Sequence, residues 1–364
     1  MFLNTDAPLH TFAQTVVEWQ RREGRHHLPW QGTRDPYRIW LSEIMLQQTQ
    51  VNTVVAYYER FLSRFPDVDA LASAAQDEVM PYWAGLGYYA RARNLHRCAQ
   101  ELVAHHGGRF PLQANAIARL PGIGPSTAAA IAAFAYGERS AIMDGNVKRV
   151  FSRYFGIYGD TSRRITEQVL WERAEAVIAA APNSLDMSSY TQGLMDLGST
   201  RCTRGRPQCE LCPLTLTCHA RIHSVQTELP TRRVKKDVPQ RQCKMLILHR
   251  HDSVLLERQP SPGIWGGLWS LPQYEDAAAL DTAISLHAGR MPNAQKLAAL
   301  LHTFTHFKLH IEPWYVRCEA GLAVKPASEE QRWVPVAALR STALPAPVKT
   351  LLDGLFSFES ADIC

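Results

Sequence analysis

Two rhythms of apolar and polar positions divide this chain. From about Ala7 to Ala220, stretches rich in Ala, Leu, Ile and Val recur at helical spacing and are broken at Pro66, Pro81, Pro111, Pro121, Gly156 and Pro182, which predicts an all-α domain. From Gln240 onward the runs shorten. Lys244 to His249, Val254 to Arg258 and Phe307 to Cys318 read as strands, with a helix near Pro345 to Phe356, the pattern of an α+β domain. Between the two, Thr227 to Gln240 carries Pro230, Pro239 and the basic cluster Arg232, Arg233, Lys235 and Lys236, and reads as an exposed, solvated linker. The expected organisation is multidomain: a helical domain over 1–226, a linker over 227–240 and a second domain over 241–364.

Length and charge agree with that division. At 364 residues the chain exceeds the usual size of one domain, and a formal charge of +5 permits an anionic partner without demanding one. The start, Met1-Phe2-Leu3-Asn4-Thr5-Asp6, lacks the basic and apolar regions of a secretory signal, and no apolar run is long enough to span a bilayer. An intracellular, cytoplasmic protein is expected.

The cysteines change the picture. Of eight, four lie between Arg201 and His219 as C-x6-C-x2-C-x5-C: Cys202, Cys209, Cys212 and Cys218. The others, Cys98, Cys243, Cys318 and Cys364, are scattered, which suits a reducing compartment better than a disulfide scaffold. Four thiolates in one short loop read as a metal centre, either tetrahedral zinc or an iron–sulfur cube. Structural zinc usually comes with two Cys-x-x-Cys pairs, and only Cys209 and Cys212 form one here. Arg204 and Arg206 lie between the first two cysteines and Arg201 just before them, so the loop's cationic tips can meet phosphates.

Two further elements carry chemistry. Leu120-Pro121-Gly122-Ile123-Gly124-Pro125-Ser126-Thr127-Ala128 places a Gly-x-Gly hairpin before an Ala-rich helix running through Ala133. Gly122 and Gly124 let a phosphate approach the backbone, where N–H groups and the helix dipole can hold it without reading a base. Upstream, Asp35-Pro36 is an N-cap and first-turn pair for a helix through Gln47, on which Trp40, Glu43, Ile44 and Gln47 recur at three- and four-residue spacing. Among apolar neighbours Glu43 should stay protonated near neutrality, as a general acid must. Asp144, in Asp144-Gly145-Asn146-Val147-Lys148-Arg149-Val150, reads by itself as an N-cap for a helix through Phe155, and a cap can also serve as an ionised, catalytic carboxylate. Paired, the two carboxyls are what glycosidic cleavage through an oxocarbenium-like transition state requires, with Asn146 placed to orient either.

The cysteine spacing and the hairpin resemble those of the endonuclease III superfamily of DNA glycosylases. That resemblance implies a [4Fe–4S] cluster on Cys202, Cys209, Cys212 and Cys218, and a helix-hairpin-helix fold. Members that cleave DNA through a Schiff base carry Lys where this chain has Ser126, and a hydroxyl cannot form that imine, so a monofunctional, water-using enzyme is expected. Ser42 to Val51, Gly85 to Leu95 and Asp144 to Val150 are similar to the MutY family of adenine DNA glycosylases, over nearly the whole chain. The resemblance implies removal of adenine mispaired with 8-oxoguanine, or with guanine, from duplex DNA. In it Glu43 protonates N7 and Asp144 stabilises the cation or bonds transiently to C1′. Gln48 and Thr49 contact the lesion strand, Tyr88 is a wedge beside the lesion, and Trp30 and Gln192 surround the flipped base. A monomer on DNA is expected.

Trp265 to Pro272 and Leu301 to Ile311 resemble the MutT-like Nudix domain that such enzymes append to recognise 8-oxoguanine. The Nudix Arg-Glu-x-x-Glu-Glu run is absent after Pro272, which points to sensing in place of diphosphate hydrolysis. The recognition triplet Phe-Ser-His of the family is Phe304-Thr305-His306 here, and Thr keeps a hydroxyl donor and acceptor. Two other readings stand beside this one: a superfamily glycosylase acting on an oxidised pyrimidine or mismatched thymine, and a non-catalytic lesion-binding or redox-sensing module. The pair Glu43 and Asp144 argues against the second.

Overall fold

The computed structural model describes residues 9–232, 237–261, 263–288, 294–318, 328 and 330–356; the Met1 to Asp6 terminus, Arg233, Lys235, Lys236 and Cys364 lie outside them. The chain forms two compact units, Met1–Ala74 with Asn94–Lys235, and Ala75–Arg93 with Lys236–Cys364. Segment Ala75–Arg93 thus goes with the second unit, an arrangement no local sequence pattern announces. No helix of the described residues is long and apolar enough to cross a membrane.

The helices up to the cysteine loop are α1 (Leu9–Glu23), α2 (Pro36–Leu46), α3 (Val51–Arg64), α4 (Val68–Ser73), α5 (Gln76–Trp83), α6 (Ala90–His106), α7 (Ala114–Ile117), α8 (Pro125–Tyr136), α9 (Gly145–Phe155), α10 (Arg164–Ala180) and α11 (Met187–Asp196). A π-helical turn, Leu197–Arg201, joins α11 to Cys202, and α12 (His219–Ile222) follows the last cysteine of the loop. In α2 the Asp35 side chain accepts the Tyr37 N–H at 2.9 Å and Pro36 opens the first turn, so the expected cap is present. Helix α2 is buried on most sides, through Tyr37, Ile39, Trp40, Leu41, Ser42, Ile44 and Met45. Helix α8 is buried on nearly every side from Ala128 to Ala135 and packs on α2 and α11, which makes it the axis of this unit. It continues past Ala133 through Phe134 to Tyr136. The left-handed Gly137 stops it there, its N–H closing on the Ala133 carbonyl at 3.1 Å. The core beneath gathers Phe12, Trp19, Phe151, Tyr154, Phe155, Tyr190 and Leu194, with Phe12 edge-on to Phe151 at 5.4 Å and to Tyr154 at 4.7 Å.

In the second unit, strands β1 (Gln240–Arg250), β2 (Ser253–Arg258), β3 (Trp269–Ser270), β4 (Gln273–Tyr274), β5 (Ala294–Lys296), β6 (Leu300–Thr303), β7 (Lys308–Arg317) and β8 (Gln331–Pro335) form one mixed sheet, with α13 (Ala277–Ala288) and α14 (Ala346–Phe356). β1 runs parallel to β7 in the register Gln240 opposite Lys308 to His249 opposite Arg317, and antiparallel to β2 and β4. As the central strand it buries Met245, Leu246, Ile247 and Leu248 in succession, both faces being covered. Antiparallel β6 and β7 leave Phe304 to Phe307 as the turn between them.

One turn of the first unit depends on a missing side chain. Gly122, between α7 and α8, sits at φ +75°, and a Cβ added there would lie 2.5 Å from the Asn94 Cβ. Both the backbone and the close approach of α6 therefore require glycine. Gly122→Ala should destabilise the protein by more than about 1 kcal/mol, read as a lower midpoint of thermal unfolding at a fixed scan rate.

Candidate active site

Glu43 sits on α2 at the wall of a cavity of about 360 Å³, which Trp30, Leu46 and Gln192 also line. Protein encloses the carboxyl on all sides but the cavity, and burial pushes its pKa from an ordinary 4.5 to about 8, with the Asp144 charge adding to the rise. Trp30 is buried and meets the Tyr58 ring edge-on at 5.4 Å, so one aromatic wall is held rigidly. Gln192, on α11, donates its Nε2 to Asp196 Oδ1 at 2.9 Å. Asp196 is fully buried and paired with Arg25, whose Nη2 lies 2.6 Å from Oδ1 and whose backbone N–H reaches Oδ2 at 2.8 Å. The sequence pattern does not single out this pair. Asp196 follows Gln192 by one helical turn, a visible signal, but nothing local links either to Arg25.

Asp144 is the N-cap of α9, and its Oδ1 accepts the Val147 N–H at 2.7 Å. Burial raises its pKa, opposed by the N–H groups of Val147 and Asn146 and by the charges of Arg149 and Lys148. The two carboxyls thus differ in kind. Burial of Glu43 is opposed by no cation, whereas burial of Asp144 is opposed by the donors and cations around it. Ser126 spends its Oγ on the Met143 N–H at 2.8 Å, tying the start of α8 to the residue before Asp144.

Asn146 is fixed by Arg149, which donates Nη2 to its Oδ1 at 2.8 Å, to the Gly198 carbonyl at 2.7 Å, and Nε to the Cys202 carbonyl at 2.7 Å. Gly198 permits this approach, since a Cβ there would fall 2.5 Å from that of Asn146. Arg153, buried one turn further along α9, donates to the Cys202 Sγ at 3.3 Å and to the Thr203 carbonyl at 2.8 Å. Neither arginine was a sequence candidate.

Cys202, Cys209, Cys212 and Cys218 are all half-buried and unbridged, and three of them pack on the helical core. Burial and mutual repulsion raise the Cys212 thiol to about 12 and Cys218 to about 11, so four thiolates could be held together there only by a cation among them. Among the described residues no three ligating side chains converge at the spacing of a single bound ion. The donor set, four thiols with an arginine N–H aimed at one sulfur, fits a multinuclear thiolate-bound centre. Arg204 and Arg206 are exposed at the tip of this loop, and the Gly124 backbone is open where a Cβ would meet nothing within 4 Å.

Within the second unit, Tyr88 is 45% exposed with φ +48°, and its hydroxyl lies 2.9 Å from Thr305 Oγ1. Thr305 and His306 are exposed at the tip of the β6–β7 turn, with Phe304 behind them. In the first unit Gln48 is left-handed, at φ +57°, and Thr49 follows it. Left-handed backbone at two non-glycine residues is uncommon and concentrates where ligands are gripped.

A helix-hairpin-helix unit with a carboxyl-bearing cavity and a four-cysteine loop, joined in one chain to a mixed-sheet unit, defines a class of DNA repair enzyme. Residues 41–176 match the family described as HhH-GPD superfamily base excision DNA repair protein, and residues 243–354 match a NUDIX domain. The adenine DNA glycosylase of Buchnera aphidicola subsp. Baizongia pistaciae is 33% identical over 96% of this chain and 98% of its own length; that of Homo sapiens is 30% identical over 94% of this chain and 73% of its own. A solved thermostable thymine-DNA glycosylase superposes with a TM-score of 0.54 at 30% identity, covering 60% of this chain and 99% of that one. The chain belongs to the adenine DNA glycosylase family. It is a hydrolase of base excision repair, and the expected multidomain architecture of a helix-hairpin-helix unit followed by a Nudix domain holds.

The Glu43 proton has a thermodynamic signature. Between 4.5 and 8 the folded chain holds a proton that the unfolded chain has released, so stability falls as pH rises through that window and levels off above it. Glu43→Gln removes this titration. Its gain in thermal stability over the parent should therefore grow across the window, by at most about 1.4 kcal/mol per pH unit, as checked by melting curves at stepped pH.

Proposed function

We propose that this enzyme hydrolyses the N-glycosidic bond of adenine paired with 8-oxoguanine, and of adenine paired with guanine, after turning the adenine out of the duplex. The observation that carries the reading is the pair of unlike carboxyls: Glu43, neutral to about pH 8 at the wall of the cavity, and Asp144, supplied with donors and cations. Adenine enters the cavity against Trp30 and Gln192. Glu43 gives its proton to N7 as the bond to C1′ breaks, and Asp144 stabilises the sugar cation or bonds to it transiently until water adds. Asn146, held by Arg149, keeps the Asp144 loop in place. With Ser126 in place of a lysine no imine forms, and the abasic strand is left intact.

The opposite base is read elsewhere. 8-Oxoguanine carries N7–H and O8 where guanine has only an N7 acceptor, and the Thr305 hydroxyl can both donate and accept. Tyr88 is a wedge beside the lesion, and Gln48 and Thr49 contact the lesion strand. Gly122, Gly124, Arg204 and Arg206 hold phosphates, which sets register without reading sequence. In this reading residues 241–364 form the lesion-recognition domain, 227–240 the linker and 1–226 the glycosylase domain, and the enzyme works as a monomer. Cys202, Cys209, Cys212 and Cys218 would hold a [4Fe–4S] cluster, whose contribution is to fix the basic loop.

The test is a duplex with one A:8-oxoguanine pair, assayed for free base and for strand breaks before and after alkali. Adenine release with breaks only after alkali is expected, and the rate should fall as pH rises through about 8. Glu43→Gln should bind the duplex but lose roughly a hundred- to ten-thousandfold in excision. Full activity in that variant would remove Glu43 from the chemistry. The structural likeness to a thymine-DNA glycosylase favours one second reading, which thymine release from a G:T duplex would establish.

The loop makes a separate forecast. Purified protein should carry iron and acid-labile sulfide in equal amounts, and Cys212→Ser should lose both together with DNA affinity. Zinc in their place would overturn the cluster.

A further inference from the structure

Trp265 has no part in the chemistry above, yet it is held in an unusual state. It is buried, at 6% exposure, in left-handed backbone at φ +58°. A bulky side chain there is an outlier that its surroundings must hold in place. Those surroundings are the root of the Phe304-Thr305-His306 turn. The Trp265 ring lies 5.5 Å from Phe304 and 6.0 Å from His302, and His302 meets Phe304 edge-on at 4.6 Å. Phe304 in turn stacks on Phe307 at 4.5 Å and 20°, and the Arg241 guanidinium lies 4.7 Å from the Phe307 centroid. The Phe304 N–H donates to the Phe307 carbonyl at 2.9 Å, which closes the turn around Thr305 and His306.

The same loop also reaches the segment that carries Tyr88. Arg93 donates to the Gly266 carbonyl, and a Cβ on Gly267 would lie 3.0 Å from Gln76 Nε2. Tyr88 and Thr305 then meet through their hydroxyls at 2.9 Å. The contacts form a closed circuit: Trp265 to Phe304, Thr305 to Tyr88, Arg93 to Gly266.

Resting on the proposed reading of Thr305, we infer that Trp265 is a positioning residue for lesion discrimination: its ring clamps the base of the 304–307 turn while its backbone neighbours hold the Tyr88 segment, so that Thr305 and Tyr88 present one preset surface to the base opposite adenine. Trp265 belongs to the second unit and Glu43 to the first, so it acts on which duplex is favoured and leaves bond cleavage alone. A ring that merely filled core would act on both duplexes alike.

Trp265→Gly separates these roles, because glycine adopts the left-handed backbone without strain and only the ring is lost. Single-turnover excision and binding are measured for the full-length enzyme on A:8-oxoguanine and A:G duplexes. The preference for 8-oxoguanine should fall about three- to thirtyfold, with A:G excision within about twofold of the parent, and Trp265→Gly added to Thr305→Val should cause no further loss of preference. An unchanged preference, equal losses on both duplexes, or full additivity with Thr305→Val would each overturn the inference. If Trp265→Gly does not fold, Phe307→Leu carries the same comparison, since it keeps apolar bulk but breaks the stack. A parent enzyme with no preference between the duplexes would sink the reading of Thr305 and this inference with it, whereas a parental preference that both variants retain sinks this inference alone.

Discussion

A carboxyl that must stay uncharged at neutral pH, inside a cavity large enough for a planar base, constrains most of the helical unit. Burial chiefly gives Glu43 that property, with the Asp144 charge adding to it, and burial has to come from somewhere. It comes from the apolar face of α2 packed on α8, a helix hidden on nearly all sides, and from Trp30 braced against Tyr58. A cation beside Glu43 would undo the effect by favouring the charged form. The cations of this region, Arg149 and Lys148, act on Asp144 instead, with Lys148 further engaged by Glu167 at 2.6 Å. Segregation of charge thus gives two similar side chains unlike electrostatic surroundings.

The Asp144 loop is built from the cysteine side as much as from its own helix. Arg149 bonds the Asn146 side chain, the π turn and the Cys202 carbonyl with one guanidinium, and Arg153 secures the next stretch of the loop. Five donors in a planar fork can satisfy several carbonyls at once, which a lysine could not. Movement at Cys202 would therefore be felt at Asn146 through a single side chain. That connection gives the four-cysteine loop a bearing on the geometry of the carboxyls in addition to any contact with phosphate.

What the sequence made legible follows from how local each signal is. The caps Asp35 and Asp144, the hairpin glycines and the strands around Val254 and Lys308 are short-range patterns, and the structure has them where they were expected. The burial of Glu43 was readable because its own helical neighbours are apolar. The Arg25–Asp196 pair and the reach of Arg149 to Gly198 were not, because their partners lie far apart in the chain and only packing brings them together. The same reason hid the grouping of Ala75–Arg93 with the C-terminal strands, and the link between Tyr88 and Thr305. Strain at Gln48, Tyr88 and Trp265 was invisible for a different reason: nothing in these residue types announces a left-handed backbone.

On the proposed reading of the cavity, Asp196 bears on which base it accepts. A carboxylate has no proton to donate, so the Gln192 amide must turn its Nε2 toward Asp196, as the 2.9 Å bond records. The Arg25 pair holds Asp196 in place, so the amide has no comparable bond if it flips. Gln192 then offers Oε1, an acceptor, beside the second N–H of Nε2 to whatever enters the cavity. The exocyclic amino group of adenine supplies the matching donor for Oε1, while a carbonyl such as thymine O4 facing Oε1 would set acceptor against acceptor. Rejection of that kind is strong, because a polar group left unpaired in an enclosed site costs more than the bond it replaces. By this argument base selectivity originates one residue behind the cavity wall, in a carboxylate that the substrate does not touch.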